Sequence, residues 1–239
     1  MNTSLSWIKA YVPDLDVTAQ EYTDAMTLTG TKVEGYELLD ADLENPSIHY
    51  LYGKVEPCNS DSKQLIPMTA DSGVQFISMG NVEKDATQPL LSYGKDIAEG
   101  ALYFYLNVKW PEDLDFILVD MPSGVGDVPL QIGTIIPFDG AVCVANPSDL
   151  CDFLAKKSVN LMRMIMIPVL GVVENKTVIA LEDGQVRLGT DPKEHAKALD
   201  LPLLASVPLS LELSVMADFG RIADAQVPEL DSVAELLAK

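Results

Sequence analysis

The sequence predicts an α/β protein: a doubly wound, mostly parallel sheet with helices on both faces. The prediction rests on length, composition and the alternation of short apolar runs with longer amphipathic segments. The chain has 239 residues, 48% of them hydrophobic, which is enough to bury a substantial core. Its short apolar runs do not alternate with polar residues, which is typical of strands covered on both faces and favours parallel pairing.

The elements are predicted in chain order from these runs and from helix boundary signals. Strands are predicted at 35–40, 74–79, 116–120, 141–145, 169–173 and 203–207. Helices are predicted at 17–29, 96–108, 148–165, from 191 onward, and at 229–239. The start at 191 is the clearest, because Asp191 can cap the helix and Pro192 suits its first turn. Alternating strands and helices predict right-handed crossovers between parallel strands.

The net charge and the cysteine content limit the kinds of partner and the cellular compartment that we expect. Against 36 Asp and Glu there are only 16 Lys and Arg, a net charge of −20, which makes nucleic acid and anionic membranes unlikely partners. The three cysteines, Cys58, Cys143 and Cys151, are widely spaced and are interpreted as reduced thiols. The first residues lack the apolar core of a secretory signal, so a cytoplasmic protein is expected.

One candidate site follows the strand predicted at 116–120. Residues 114–127 read LDFILVDMPSGVGD, which places Asp120 at the carboxyl end of a parallel strand, where such sheets bind ligands. In nucleotide-hydrolysing folds an acid at this position holds Mg²⁺ through its water shell. Gly124 and Gly126 give the next turn the freedom of a switch. The alternative is an Asp120 that only caps the next helix.

A second candidate site lies at residues 38–48, which read LLDADLENPSI. Asp40 and Asp42 stand two residues apart at a strand end, so both carboxylates could face one Mg-nucleotide. The alternative is a solvated acidic turn, which the following Asn45-Pro46 favours.

Together with QFISMG at 75–80, DGAVCVANPSD at 139–149 and IPVLGVVEN at 167–175, these blocks resemble the Mrp family over about residues 37–239. Mrp proteins are iron–sulfur cluster carriers related to the MinD/ParA group of deviant P-loop ATPases. The resemblance implies Mg-ATP as cofactor, iron–sulfur assembly proteins as partners and a possible homodimer. It also implies site roles: Asp42 orients the attacking water, Asp120 is the Walker B acid, and the remaining positions bind the nucleotide, namely Asp40, Gly124, Gly126, Asp127 and Asn175. Asp42 and Asp120 are the predicted Mg²⁺ positions.

The sequence departs from the family at the phosphate-binding loop. The family has a GKGGVGKS-type loop about 25–30 residues before the paired acids. Here Gly53-Lys54 is followed by Val55 and Gly94-Lys95 by Asp96, so neither is a G-K-[ST] site. The loop supplies the backbone N–H groups and the lysine that neutralise the phosphates, and removing one such donor costs roughly 3–4 kcal/mol of transition-state stabilisation. The sequence therefore predicts a defect in ATP hydrolysis and doubtful Mg-ATP binding.

A second departure concerns the cluster ligands. The family usually carries C-x-x-C shortly after VEN, but residues 175–189 contain no cysteine. Cys143 and Cys151 are interpreted as small buried hydrophobic residues. An iron–sulfur cluster bound by this chain is therefore unlikely.

The first residues carry a different resemblance. MNTSLSWIKAYV and LTGTKVEG, at 1–12 and 28–35, resemble the amino terminus of the bacterial phenylalanyl-tRNA synthetase beta subunit over about residues 1–44. We therefore predict a helix–turn–strand segment at 1–36 that packs on a domain at 37–239. Whether Ser4–Ile8 adds a central strand stays open. Two alternatives follow: a fragment of the synthetase beta subunit, or a recombined or designed chimera without evolved activity.

Overall fold

A computed structural model describes residues 36–61, 64–82, 94–111, 114–181 and 184–237. The strands in these ranges are β1 (Tyr36–Asp40), β2 (Ser60–Asp61), β3 (Gln64–Leu65), β4 (Met68–Thr69), β5 (Gln75–Ile77), β6 (Phe116–Asp120), β7 (Ala141–Ala145), β8 (Val169–Glu174), β9 (Val178–Leu181), β10 (Gly184–Arg187) and β11 (Leu203–Ser206). The α-helices are α1 (Ile48–Leu51), α2 (Gly94–Asn107), α3 (Asp127–Ile135), α4 (Asp149–Met164), α5 (Pro192–Ala198), α6 (Leu211–Asp218) and α7 (Asp231–Leu237).

The described strands form two larger, mainly parallel sheets and two antiparallel pairs, β2–β3 and β9–β10. The first has the order β4–β5–β1–β6 and the second the order β11–β8–β7. β1 pairs in parallel with β5 and β6, and β8 pairs in parallel with β7 and β11. β4 lies antiparallel at the edge of the first sheet, and β9 and β10 form a separate antiparallel hairpin. The predicted α/β class with a mostly parallel sheet is confirmed.

Helices cover both faces of each sheet, as predicted. In the first sheet, Leu39 and Ile77 pack against α2 and α3 on one face, and Phe76 packs against α1 on the other. In the second sheet, Val172 faces α4 and α5, whereas Val173 lies on the face covered by α7. The sheets therefore have a buried layer on each side, which is why their strands read as continuous apolar runs.

The first turns of α4 and α5 are stabilised by capping side chains at the predicted positions. The hydroxyl of Ser148 caps α4 by accepting a hydrogen bond from the Cys151 N–H at 3.3 Å. The carboxylate of Asp191 caps α5 by accepting one from the Lys193 N–H at 2.9 Å, with Pro192 as the first helical residue. Both caps satisfy backbone donors that a helix cannot pair internally.

The two sheets separate between β6 and β7, which do not pair within the described residues. On these strands Leu118 is 39% exposed and Val144 is 65% exposed. The predicted segment at 1–36, including the possible strand at Ser4–Ile8 and the helix at 17–29, lies outside the described residues apart from Tyr36. Among the helices described, none has the length and apolar character needed to cross a bilayer.

Candidate functional site

The acids predicted from two separate sequence blocks meet at one edge of the first sheet. β1 and β6 are parallel neighbours, and Asp40 is in register with Asp120. The Ala41 N–H donates to the Asp120 carbonyl at 2.9 Å, which ties the two strand ends together. Partial burial raises the pKa of the Asp120 carboxyl, and the negative charges of Asp40 and Asp42 raise it further. The three carboxylates are therefore close enough to repel one another.

Asp40 has a different environment from the one that the sequence predicted. Its side chain is fully buried. Oδ2 accepts hydrogen bonds from the Ser78 hydroxyl at 2.8 Å, the Ser47 N–H at 3.0 Å and the Ile48 N–H at 3.2 Å, and Oδ1 accepts one from the Asp42 N–H at 3.3 Å. Burial raises the pKa of Asp40, and these four donors oppose the rise. The carboxylate is turned inward and holds the following loop, and the nucleotide-binding role of Asp40 stays a prediction.

Asp42 is the more accessible acid of the pair. It is half-buried, and its Oδ1 accepts a hydrogen bond from the Asn45 N–H at 3.1 Å. This bond closes the turn that Asn45-Pro46 predicted. Asp42 therefore lies on a hydrogen-bonded turn, close enough to Asp120 for its charge to raise the pKa of that carboxyl.

The glycine turn after β6 has the backbone freedom that the sequence predicted. Gly124 has φ +94°, in the region that favours glycine, and no atom lies within 4 Å of where its Cβ would be. Gly126 is the N-cap residue of α3 and Asp127 is its first residue. Asp120 does not cap this helix, so the helix-capping alternative for Asp120 is wrong. The Ser158 hydroxyl contacts the Gly124 carbonyl at 3.5 Å and links the turn to α4.

Asn175 lies at the corresponding edge of the second sheet. It follows the last residue of β8, and its N–H donates to the Ala145 carbonyl at 2.8 Å. Its side-chain Oδ1 accepts from the Lys176 N–H at 2.9 Å. The structure thus places Asn175 at the carboxyl end of a parallel strand, where ligands bind in such sheets.

The residues present fit one half of a Mg-nucleotide site. Carboxylate oxygens are the ligands that Mg²⁺ prefers, and Asp42 and Asp120 supply them at one edge. The phosphate half is different, because the sequence contains no G-K-[ST] motif. Of the described groups, only the carboxylates of Asp40 and Asp42 act on the pKa of Asp120, so no described cation offsets the repulsion.

The cysteines do not form a cluster site in the described part of the chain. Cys58, Cys143 and Cys151 are each free and half-buried. Burial and the nearby Glu174 carboxylate raise the pKa of the Cys143 thiol to about 11, which keeps it protonated. No group of three or more His, Cys, Asp or Glu side chains suited to a metal ion occurs within these ranges.

Sequence reasoning missed two buried polar clusters. The first joins His49 and Ser78 to Asp40 behind the acidic edge. The second places His195 between Glu174 and Asp152. The members of each cluster are separated by many residues along the chain, and no spacing signal in the sequence connects them. Ser78 stands in the SMG block that supported the family resemblance, but that block carried no assigned role.

A family model and the most similar relatives both point to the same protein family. The family model for ParA, the NUBPL iron-transfer P-loop NTPases, matches residues 17–238. The iron–sulfur cluster carrier protein of Pseudomonas fragi is 35% identical over 221 residues, which cover 88% of this chain and 75% of that protein. The mouse iron–sulfur cluster transfer protein NUBPL is 33% identical over 189 residues, 77% of this chain and 58% of that protein. The match begins inside the segment that resembles the synthetase, and that resemblance stays a prediction.

Solved structures show the same fold. A nucleotide-binding protein from Archaeoglobus fulgidus, in complex with ADP, superposes with a TM-score of 0.68 at 24% identity, covering 86% of this chain and 80% of that one. The cell division ATPase MinD of Pyrococcus furiosus superposes with a TM-score of 0.57 at 18% identity, covering 90% and 86%. At these identities the likeness establishes only the architecture. The chemistry has to be argued from the residues of the site.

Proposed function

Because this chain belongs to the ParA family of NUBPL-type iron-transfer P-loop NTPases, we propose that it is a carrier-type protein defective in ATP hydrolysis. One observation supports this proposal above the others. The Asp42 carboxylate lies close enough to Asp120 to raise its pKa, but the sequence lacks the loop that would neutralise the phosphates. A site of this kind retains ligands for a cation without the means to stabilise a phosphoryl transition state.

The position of the missing loop strengthens the argument. In the family the loop precedes the paired acids by about 25–30 residues, which corresponds to residues 10–15 when counted back from Asp40. Those residues read AYVPDL, with neither a glycine nor a lysine. At this spacing the sequence therefore has an acid, Asp14, and no lysine, in a chain of net charge −20.

The remaining residues have separable roles in the proposed site. Asp120 would hold Mg²⁺ through its water shell, and Asp42 would orient a water molecule towards the γ-phosphate. Gly124 and Gly126 would let the turn before Asp127 follow the state of the nucleotide. Asn175 would contact the base from the second sheet. When bound, Mg-ATP supplies the phosphoryl group, and the protein residues only position and shield it.

We also propose that any iron–sulfur cargo is not ligated by a C-x-x-C pair of this chain, which has none. Iron–sulfur assembly proteins and a second copy of the chain are the partners proposed from the family. Purified protein incubated with iron and sulfide under reducing conditions should then show no stable visible absorbance after desalting. A stable absorbance with two iron atoms per dimer would overturn this part of the proposal.

The hydrolysis proposal is tested by ligand-induced stabilisation together with phosphate release. At 1 mM Mg-ATP we expect the melting temperature to rise by no more than about 1 °C, since a ligand stabilises only in proportion to its occupancy. Phosphate release should not exceed that of the Asp120→Ala variant, which serves as the matched control. A shift of several degrees that disappears in Asp120→Ala would show a working site and refute the proposal.

A further inference from the structure

A line of three buried polar side chains lies behind the acidic edge. His49 on α1 is 7% exposed, whereas Ser78, which follows β5, and Asp40, at the end of β1, are fully buried. His49 Nδ1 lies 3.2 Å from Ser78 Oγ, and Ser78 Oγ donates to Asp40 Oδ2 at 2.8 Å. The line therefore connects three separate elements of the first sheet and its neighbouring helix.

The direction of the hydrogen bonds fixes the tautomer of the ring. A serine hydroxyl has one proton, and the Ser78 proton is given to the Asp40 carboxylate. Towards His49, Ser78 can only accept, so the His49 proton must lie on Nδ1. Burial lowers the pKa of His49, and the Asp40 charge offsets this only in part, so the ring is neutral at pH 7. His49 is thus a neutral Nδ1–H donor.

The ring occupies a place that only glycine leaves open. A Cβ added at Gly80 would lie 2.1 Å from His49 Cε1 and 2.3 Å from each ring nitrogen. Real Cβ atoms do not approach so closely, so any other residue at position 80 would displace the ring. The position of the Nδ1 donor is therefore set by backbone packing.

We propose that His49 is a positioning residue for the loop at 41–47, which carries Asp42. The Asp40 carboxylate at the end of the line accepts the N–H of Asp42 through Oδ1 and the N–H of Ser47 through Oδ2. It therefore ties the first and last parts of the loop together, and the Ser78 hydroxyl orients it. That the loop serves a nucleotide rests on the proposed function, but the line of hydrogen bonds does not.

The protein contains two histidines, so the ring tautomer can be read directly from long-range ¹H–¹⁵N NMR spectra. We expect the Nδ1–H pattern for the resonance that disappears in His49→Asn. We also expect that pattern to change in Ser78→Ala, because the proton then loses its acceptor. An Nε2–H pattern in the unaltered protein would overturn the proposal. The reading of the tautomer itself needs only the unaltered protein and the His49→Asn variant used for assignment.

A matched pair of substitutions separates positioning from simple space filling. The amide nitrogen of asparagine can occupy the place of Nδ1, and that of glutamine the place of Nε2. We expect the amide protons of Asp42 and Ser47 to exchange about tenfold faster in His49→Gln than in His49→Asn. Equal rates in the two variants would refute the positioning role. Neither readout involves nucleotide, so both can succeed while the Mg-ATP test of the proposed function fails, and the reverse.

Discussion

The buried cluster around His195 gives the sharpest prediction about stability. His195 and Glu174 are both fully buried; ring Nδ1 faces Glu174 Oε1 and Nε2 faces Asp152 Oδ1. A neutral imidazole has a single N–H and cannot serve two carboxylates, so the folded cluster must retain one additional proton. In the same direction, burial raises the pKa of the Glu174 carboxyl, although the His195 charge opposes the rise.

The perturbation is His195→Phe, which removes the shared proton and leaves two facing carboxylates. Removing one partner of a buried ion pair costs about 3–5 kcal/mol, because the remaining charge is stranded. The Asp152 side chain is 20% exposed and keeps some hydration. The free energy of unfolding should therefore fall by about 3 kcal/mol, the lower end of this range. For a chain of this length, that corresponds to a fall in melting temperature of roughly 6–12 °C.

Urea unfolding of His195→Phe, Glu174→Gln and the double variant completes the test. The free energy of unfolding of the double variant should fall by clearly less than the sum of the two single losses. With glutamine at position 174, replacing His195 no longer leaves a buried carboxylate there without a partner. In the unaltered protein, stability should fall as pH rises above about 4.5, because the raised pKa of Glu174 lets the folded chain hold a proton that the unfolded chain releases. The slope cannot exceed about 1.4 kcal/mol per pH unit for one proton. Additive losses, or a slope unchanged in His195→Phe, would refute the shared-proton interpretation.

Three further predictions concern single positions. Glu37 is 4% exposed and its Oε2 has no hydrogen-bond partner among the described residues, so Glu37→Leu should raise the free energy of unfolding by about 1–2 kcal/mol in urea titrations at pH 7. Asp120→Asn removes like-charge repulsion and should raise the melting temperature by about 1–3 °C at pH 7. Gly220→Ala should lower the free energy of unfolding by about 2 kcal/mol or more, because φ is +66° and the added Cβ would lie 2.4 Å from Gly53 Cα.

Each of these predictions has its own control. Glu37→Gln keeps a buried polar group and should give no gain; since burial raises the pKa of Glu37, the advantage of leucine should shrink as pH falls and the acid is neutralised. The Asp120→Asn gain should likewise vanish near pH 4, and a gain that persists there would contradict the charge argument. Gly73 has φ +88° but open space around it, so Gly73→Ala isolates backbone strain. Equal losses at Gly73 and Gly220 would exclude close packing as the cause.

Much of the fold could be predicted from local sequence. Strands 116–120 and 141–145 have the predicted bounds, because each is a continuous apolar run ended by a turn. The helices starting after Ser148 and Asp191 follow from capping side chains that lie within three residues of the groups they satisfy. The hairpin of β9 and β10 was not predicted, although the sequence carries the hairpin signal Asp183-Gly184, whose glycine is the first residue of β10.

The acids of the site could be predicted from the sequence, but the hydrogen bonds that hold them in place could not. Asp40 and Asp120 could be placed together because carboxyl ends of parallel strands share one edge. The inward turn of Asp40 could not be predicted, since it depends on Ser78, 38 residues away, and on the backbone of Ser47 and Ile48. Tertiary hydrogen bonds of this kind leave no periodic pattern in a single sequence.

These supports also explain how an acidic edge can persist without a phosphate loop. Asp120 is held by the register of β6 with β1, and Asp42 by a loop that Asp40 ties at both ends. None of these bonds involves residues 1–35, so losing the phosphate-binding loop need not dismantle the carboxylates. What would be lost is the compensating positive charge, which is consistent with the raised pKa of Asp120. A gain in stability on Asp120→Asn that vanishes near pH 4 would therefore mean that burial and the charges of Asp40 and Asp42 together make the ionised Asp120 unfavourable in the folded protein.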